Sequence, residues 1–171
     1  NYPILRHIAN SAGIERFPDA QFDMVRLGIG LYGISATNQD QLTTVSTLKS
    51  TVIQVKKVPK DETIGYNRQG HANEDMVIAI VPVGYADGLS RKLSNGKGKL
   101  CVNGILVPIV GNICMDMCML DITGCNVHEG DEVVVFGKEQ SVIDLANTLE
   151  TIPYEIFTSV SSRVKRIYYQ E

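Results

Sequence analysis

A succession of short apolar segments separated by turn residues most constrains what this chain can fold into. These strand-like segments are residues 50–58, 76–83, 99–102, 105–110, 115–122 and 131–136. Asn103-Gly104 separates two of them and tolerates the positive φ angles of a tight type I′ hairpin turn. Closely spaced short strands with turn signals between them are typical of an antiparallel sheet that curls on itself. We therefore predict a mainly β fold with an antiparallel, barrel-like domain.

The C-terminal part has a mixed pattern. Ser141 and Asp144 resemble a helix capping box, and apolar residues after Ser141 recur on one helical face. Pro153 should end that helix and begin a short second one. Residues 163–169 are predicted to form a closing strand. The β domain should thus carry a short helical segment near its end.

The first 33 residues have a different character, that of a strand, a loop, a short helix and a second strand. Apolar residues 4–8 and 24–27 are each followed by small or polar residues. Such strand tips can cradle a phosphate with backbone N–H groups and a hydroxyl, as the last loops of (β/α)8 barrels commonly do. We therefore expect the last β/α portion of a barrel here. Polar residues 34–46 then form a linker.

Composition excludes several classes of function. The net charge of −3 and the absence of a basic stripe argue against nucleic-acid binding. No apolar run approaches the length needed to span a bilayer, so we expect no membrane partner and a cytoplasmic location. The four cysteines match no zinc pattern and are expected to be reduced thiols, with no metal site. Because the first methionine is Met24, we expect residues 1–171 to be part of a larger protein.

Several residues could carry chemistry or could be merely structural. Tyr66 and Tyr85 each follow a glycine, which would let a ligand approach closely or would simply form a turn. Asp116 and Asp121 would lie on opposite faces of a strand, so one would need an inward partner, from Arg91 or Arg163. The residues alone favour an internal salt bridge as the explanation of that pair.

Two basic residues near the N-terminus have the same ambiguity. Arg26 lies between two apolar strand residues and would require an anionic or aromatic partner, which a ligand could supply. His7, taken alone, is as consistent with a hydrogen-bonded core histidine.

Together these residues resemble the alanine racemase family. Seven motifs carry the resemblance, in the family's order across nearly the whole chain: His7-Ile8-Ala9-Asn10-Ser11, Arg26-Leu27-Gly28-Ile29-Gly30-Leu31-Tyr32-Gly33, Gly65-Tyr66, Gly84-Tyr85-Ala86-Asp87-Gly88, Val110-Gly111-Asn112-Ile113-Cys114-Met115-Asp116, Pro153-Tyr154-Glu155 and Ser162-Arg163-Val164.

The resemblance implies a fold and an activity. Residues 1–45 would be the end of a (β/α)8 barrel that binds pyridoxal 5'-phosphate, and residues 46–171 the C-terminal β domain. The family interconverts L- and D-alanine by two-base transfer of the α-proton, which supplies D-alanine for peptidoglycan precursors. The rest of the barrel, with the lysine that binds the cofactor, lies outside this sequence. The chain alone is therefore expected to be inactive.

The resemblance also implies cofactor-binding residues. Ser11, with backbone N–H groups near Asn10, Ser11, Gly28 and Ile29, would hold the phosphate, and the Tyr154 hydroxyl would add to this site. Arg26 would face the pyridine nitrogen, with His7 behind it.

The remaining site residues lie in the β domain. Tyr66 would be one of the two catalytic acid/base groups, and Met115 would help bind the substrate carboxylate through its backbone. Tyr85, Arg91 and Asp116 would line the substrate entrance. Because the family's active site forms across a homodimer, Tyr66, Tyr85 and Met115 would serve the partner's cofactor.

Two residues depart from the family pattern, and two other functions stay open. Asn112 lies where many relatives have Arg, and Asn67 where many have Gly. One alternative is a broad-specificity amino-acid racemase of the same fold. The other is a non-enzymatic β-rich binding or assembly module.

Overall fold

The computed structural model describes residues 2–169, which form two compact units with their boundary between Thr47 and Leu48. In the first unit, helix α1 (Ser11–Arg16) begins where the Asn10 side chain accepts a hydrogen bond from the Gly13 N–H at 3.0 Å. This is the usual N-cap interaction. The unit also contains three 3-10 turns, Pro18–Ala20, Ile29–Tyr32 and Gln39–Gln41.

The two strands predicted at residues 4–8 and 24–27 do not form as strands. Asn10 and Arg26 make a single parallel bridge, in which the Arg26 N–H donates to the Ala9 carbonyl at 2.8 Å. The parallel direction is that of the predicted β/α unit. Ile4 stays 81% exposed. A parallel strand is stable between neighbouring strands and under covering helices, and within residues 2–47 these segments have only each other to pair with.

The polar residues predicted as a linker are tied to α1. The carboxylate of Glu15 accepts hydrogen bonds from the N–H groups of Ala36 and Thr37 and from the hydroxyls of Ser35 and Thr37. These bonds lower the pKa of Glu15, chiefly through the two hydroxyls. The start of this segment is thus a fixed loop rather than a free tether.

The second unit contains nine strands and two α-helices within residues 48–169. These elements are β1 (Leu48–Thr51), β2 (Gln54–Val58), β3 (Thr63–Ile64), β4 (Gly70–His71), β5 (Met76–Val81), β6 (Lys99–Val102), β7 (Ile105–Val110), β8 (Cys118–Asp121), β9 (Glu132–Phe136), α2 (Val142–Thr148) and α3 (Pro153–Ser159). Short 3-10 turns cover Tyr66–Arg68 and Arg91–Leu93. No helix in the described part of the chain has the length and apolar character required to cross a bilayer.

Seven strands form one antiparallel sheet in the order β1-β9-β6-β7-β8-β5-β2. The two end strands, β1 and β2, are consecutive in the chain and are separated only by Val52 and Ile53. Val52 donates to the Asp131 carbonyl and Ile53 to the Ile80 carbonyl, each at 2.9 Å. One continuous segment therefore supplies both ends of the sheet, which must curl round to meet it. This confirms the predicted barrel-like β domain.

The core of the unit comes from the central strands, of which β6, β8 and β9 bury consecutive residues. Leu100, Ile109, Leu120 and Val133 each have no exposed surface. Burying a side chain of this size contributes roughly 1.5–3 kcal/mol. The predicted hairpin turn is also present, since Asn103 and Gly104 have φ angles of 50° and 79°. These central strands form the rigid frame to which the functional loops attach.

The C-terminal helices confirm the predicted caps but not the closing strand. Ser141 accepts a hydrogen bond from the Ile143 N–H at 3.1 Å, and Pro153 is the first residue of α3. Phe157 of α3 packs edge-on against Phe136 of β9, with ring centroids 5.6 Å apart. Residues 163–169 form no strand. The Arg166 side chain instead donates to three main-chain carbonyls within residues 160–164, which holds the chain in a turn.

Candidate functional site

A pocket of about 400 Å³ on the second unit brings together residues far apart in the sequence. Its lining consists of Tyr66, Tyr85, Arg91, Asn112, Ile113, Cys114, Met115, Asp116 and Met117. Five of these are the β-domain residues predicted to carry catalysis, substrate binding or the substrate entrance. The curled sheet thus joins four separate loops into one small concave site.

The loop that carries Tyr66 has an unusual backbone. Gly65, Asn67 and Arg68 all have positive φ angles, of 77°, 57° and 53°. Backbone strain of this kind persists where surrounding contacts hold it. Here the Asn112 side-chain amide donates to the Tyr66 carbonyl at 3.3 Å, and Arg68 Nε donates to Thr63 Oγ1 at 3.1 Å. The backbone of Tyr66 is therefore fixed while its side chain is 74% exposed.

Tyr85 and Met115 lie on two turns that are bonded to each other. The N–H groups of Tyr85 and Ala86 donate to the carbonyls of Cys114 and Met115, both at 3.0 Å. The turns approach so closely that a Cβ on Gly84 would lie 2.3 Å from the Met115 carbonyl oxygen. Only glycine fits at this position. These contacts set the spacing between the predicted entrance and the predicted carboxylate site.

The strand predicted over residues 115–122 is shorter than expected. A turn closes where the Cys114 N–H donates to the Met117 carbonyl at 2.8 Å, and β8 begins only at Cys118. Asp116 therefore lies in a loop with a 58% exposed side chain, and Asp121 accepts hydrogen bonds from the N–H and hydroxyl of Thr123. The expectation that one of these two carboxylates must face inward was wrong, because they do not share a strand.

Arg163 joins the two turns through their carboxylates. Its Nε donates to Asp87 Oδ1 and its Nη2 to Asp116 Oδ1, both at 2.7 Å. These bonds raise the pKa of Arg163. Burial alone would raise the pKa of Asp87, but hydrogen bonds from Arg163 and from the Gly84 N–H more than offset it and lower that pKa. Arg163 was one of the two partners considered for Asp116; its link to Asp87 was not predicted.

Arg91 reaches the pocket from a short 3-10 turn, Arg91–Leu93. Ser90 caps this turn by accepting a hydrogen bond from the Lys92 N–H at 3.3 Å, and Leu93 anchors it with no exposed surface. Arg91 forms no ion pair within residues 2–169, so its charge is available to an anionic ligand.

The pocket contains no reactive thiolate. Burial raises the pKa of Cys114, which lines the pocket. Burial, with a further contribution from Cys114, raises the pKa of Cys118 to about 12. Both groups are therefore neutral thiols near pH 7. Across the described residues, no group of three or more His, Cys, Asp or Glu side chains is arranged to hold a metal ion.

In the first unit, Ser11 forms the centre of a small polar cradle. Its side chain is 3% exposed, and its Oγ accepts hydrogen bonds from the N–H groups of Gly28 at 2.9 Å and Gly30 at 3.2 Å. Its own hydroxyl proton has no acceptor within residues 2–169, and the Ile29 N–H makes no hydrogen bond there, whereas the Ser11 N–H faces the Arg26 carbonyl in the Asn10–Arg26 bridge. A Cβ on Gly28 would lie 3.7 Å from Ser11 Oγ, so glycine leaves this space open. The unused donors fit an anion such as phosphate.

The remaining residues predicted to bind the cofactor include Arg26, His7, Asn10 and Tyr154. Arg26 donates from Nη2 to the Ile8 carbonyl at 3.0 Å, and His7 is exposed beside that residue. Asn10 is committed to its cap of α1. Tyr154, in the second unit, is the second residue of α3 and is 48% exposed.

Comparison with known proteins identifies relatives over almost the whole chain. The family model described as "Alanine racemase, C-terminal domain" matches residues 45–168, and that described as "Alanine racemase, N-terminal domain" matches residues 1–36. Alanine racemase 1 of Clostridium acetobutylicum is 42% identical over 96% of this chain and 45% of its own length. The chain thus spans about half the length of the curated relatives it matches.

Solved structures of alanine racemases superpose on this chain over almost its whole length. Alanine racemase from Streptomyces coelicolor A3(2) superposes with a TM-score of 0.91 at 37% identity, over 99% of this chain and 47% of that one. Alanine racemase from Bartonella henselae with covalently bound pyridoxal phosphate superposes with a TM-score of 0.88 at 36% identity, over 95% and 46%.

Proposed function

Because this chain belongs to the alanine racemase family, we propose that residues 1–171 act as the C-terminal part of a pyridoxal-phosphate-dependent alanine racemase. The complete enzyme would interconvert L- and D-alanine in the cytoplasm and so supply D-alanine for peptidoglycan precursors. The observation that carries this proposal is the 400 Å³ pocket. It gathers a phenol, a guanidinium and a main-chain turn around a space suited to a small amino acid.

The Ser11 cradle fits the phosphate of the cofactor. The Ser11 hydroxyl proton and the Ile29 N–H would donate to phosphate oxygens, while the N–H groups of Gly28 and Gly30 hold Ser11 Oγ in place. Tyr154 would add its hydroxyl. When bound, pyridoxal phosphate withdraws electron density from the substrate Cα and so acidifies the Cα–H bond.

Arg26 would lie at the pyridine nitrogen. The positive charge of its guanidinium opposes protonation of a neighbouring ring nitrogen. The cofactor then withdraws electrons less strongly than it would beside a carboxylate. We propose that Arg26 thereby limits side transamination, with His7 supporting it.

Tyr66 would remove or return the α-proton on one face of the substrate. Racemisation needs an acid/base group on each face, because a single base tends to return the proton to the side it left. A phenol exchanges a proton efficiently only when a neighbouring group hydrogen-bonds to its oxygen, so Tyr66 would need such a partner in the assembled site. The group for the other face would come from the part of the barrel that lies outside this sequence.

Met115 would bind the substrate carboxylate through its main chain. Its N–H makes no hydrogen bond within residues 2–169, whereas its carbonyl is held by Ala86. Arg91 would add a positive charge nearby, and Tyr85, Arg91 and Asp116 would narrow the entrance. We further propose that the enzyme is a homodimer in which Tyr66, Tyr85 and Met115 serve the partner's cofactor. Their exposure, 74%, 43% and 53%, supports a surface completed by another chain.

Racemisation assays on two forms of the protein test this proposal. The complete protein that carries residues 1–171, supplied with pyridoxal phosphate, should racemise L-alanine faster than L-serine or L-lysine. Residues 1–171 alone should show no racemisation. A complete protein that prefers serine or lysine would favour the broad-specificity alternative. One inactive on all three amino acids would favour a non-enzymatic module.

A further inference from the structure

We propose that Arg163 is a positioning residue that locks the Tyr85 turn and the Met115 turn into one geometry. The substrate-binding consequence rests on the function proposed above, whereas the mechanical role does not. Arg163 forms this "Arg163 clamp" together with Asp87 and Asp116.

The clamp connects three separate chain segments. Arg163 bonds to Asp87, which follows Tyr85 by two residues, and to Asp116, which directly follows Met115. Asp87 Oδ2 in turn accepts the Gly84 N–H at 2.8 Å. One guanidinium therefore fixes the residues that flank both predicted substrate-contacting positions.

The chemistry of the clamp requires arginine. The guanidinium is planar and presents Nε–H and Nη2–H as a fixed fork, so its two bonds hold two carboxylates at a set separation. A lysine ammonium is a point charge on a flexible stem and cannot impose that separation. Charge-assisted hydrogen bonds of 2.7 Å are also among the strong ones in proteins.

Main-chain contacts around the Arg163 clamp also hold the Tyr85 turn in place. Ser161 donates its N–H to the Asp87 carbonyl at 3.2 Å, and the Ser159 hydroxyl donates to the Gly88 carbonyl at 3.2 Å. A Cβ on Gly88 would lie 2.7 Å from the Ser159 carbonyl oxygen. The segment after α3 is thus pressed against the Tyr85 turn. Since α3 also carries Tyr154, the clamp links the proposed phosphate ligand to the proposed substrate turns.

The clamp does not hold Tyr66, whose loop is fixed separately by Asn112. Loss of Arg163 should therefore disturb substrate binding more than proton transfer. Arg166 provides a matched control. It lies three residues away and, within residues 2–169, its side chain bonds only to the carbonyls of Val160, Ser161 and Val164. It therefore stabilises its own segment without touching either turn.

The test uses Arg163→Met, Arg163→Lys and Arg166→Met in the complete protein. We expect Arg163→Met to raise the KM for alanine about tenfold while kcat changes less than about threefold. Arg163→Lys, which keeps the charge but not the fork, should raise KM by about threefold. Arg166→Met should leave both constants near wild type. If Arg163→Met does not fold, Asp116→Asn replaces it as the test. This exposed substitution weakens one of the two bonds of Arg163 and should also raise the KM for alanine.

Amide hydrogen exchange gives a readout that does not depend on activity. The amides of Tyr85 and Ala86, which bond to the second turn, should exchange about tenfold faster in Arg163→Met and at the wild-type rate in Arg166→Met. Unchanged exchange and unchanged KM in folded Arg163→Met, or equal changes in Arg166→Met, would overturn the clamp. If the wild-type protein fails to racemise alanine, the proposed function is wrong. The exchange experiment still tests whether Arg163 holds the two turns together.

Discussion

The side-chain amide of Asn112 donates a hydrogen bond to the main-chain carbonyl of Tyr66 across 3.3 Å. Asn112 itself accepts a hydrogen bond from the Asn95 amide at 3.2 Å. The resemblance to the family led us to expect arginine at position 112. In this chain a short amide instead reaches the backbone of the proposed catalytic tyrosine and supports a loop with three positive φ angles.

Asn112→Ala should reduce catalysis, because the Tyr66 loop loses this support. A hydrogen bond of this type contributes about 0.5–1.5 kcal/mol, so kcat should fall roughly two- to tenfold. Steady-state kinetics of the complete enzyme with alanine measure this change in kcat. Asn95→Gly keeps the amide bond to Tyr66 and tolerates the positive φ of Asn95, so its loss should be smaller. Equal losses in the two variants would contradict this role.

Tyr66→Phe should impair proton transfer on the face that L-alanine presents. We expect kcat/KM to fall about 10²–10⁴-fold, equally in both directions because the two enantiomers have equal free energies. The primary isotope effect should nevertheless become larger with α-deuterated L-alanine than with α-deuterated D-alanine. Tyr85→Phe should show no such asymmetry. Matching isotope effects for the two enantiomers in Tyr66→Phe would assign the base elsewhere.

Ser11→Ala should weaken cofactor binding, because the hydroxyl both orients two N–H groups and would donate to phosphate. Hydrogen bonds to charged groups contribute about 1.5–3 kcal/mol, so affinity for pyridoxal phosphate should fall roughly 10- to 100-fold. Titration of the complete protein with pyridoxal phosphate, followed by absorbance, gives the dissociation constant. Ser35→Ala removes a hydroxyl that bonds to Glu15 in the same unit and should leave this constant unchanged. An unchanged constant for Ser11→Ala would remove the cradle from the site.

Gly84→Ala should displace the Met115 turn, since the new methyl would lie 2.3 Å from the Met115 carbonyl oxygen. Overpacking of this kind costs about 1–3 kcal/mol, and the KM for alanine should rise as well. Gly124→Ala is the control, because that site has a positive φ but no atom within 4 Å of the added methyl. It should lower the unfolding temperature modestly without changing KM. Equal KM values in the two variants would show that the turn tolerates the methyl.

Asp87 should make the free energy of unfolding decrease as pH falls. Its pKa is lower in the folded protein than the reference value of about 3.9, so its contribution is fully present above that value and is lost as pH falls through the folded pKa. Asp87→Asn should therefore lower the unfolding temperature at pH 5–7, and the difference should shrink below about pH 4. A difference that grows in acid would reverse the assignment.

Local patterns determined most of the β domain. The Asn103-Gly104 turn needs only two positive φ angles, and the Ser141 cap only a neighbouring N–H, so both follow from a few adjacent residues. The predicted bounds of the strands were less accurate. Residues 115–117 have strand-forming composition, yet they turn to meet Tyr85 and Ala86. Residues 163–169 likewise form no strand, because the chain turns at residues 162–164 and Arg166 bonds to the carbonyls of that local segment.

The sequence by itself thus determined the curled antiparallel domain, the family, and five of the nine residues that line the pocket. Only the tertiary structure decided how those residues are held. Arg163 lies 76 residues from Asp87 and 47 from Asp116, and Asn112 lies 46 from Tyr66. Strand alternation and turn preferences arise from the backbone of adjacent residues, whereas the partner of a long polar side chain depends on which distant loops the sheet brings within about 3 Å of it.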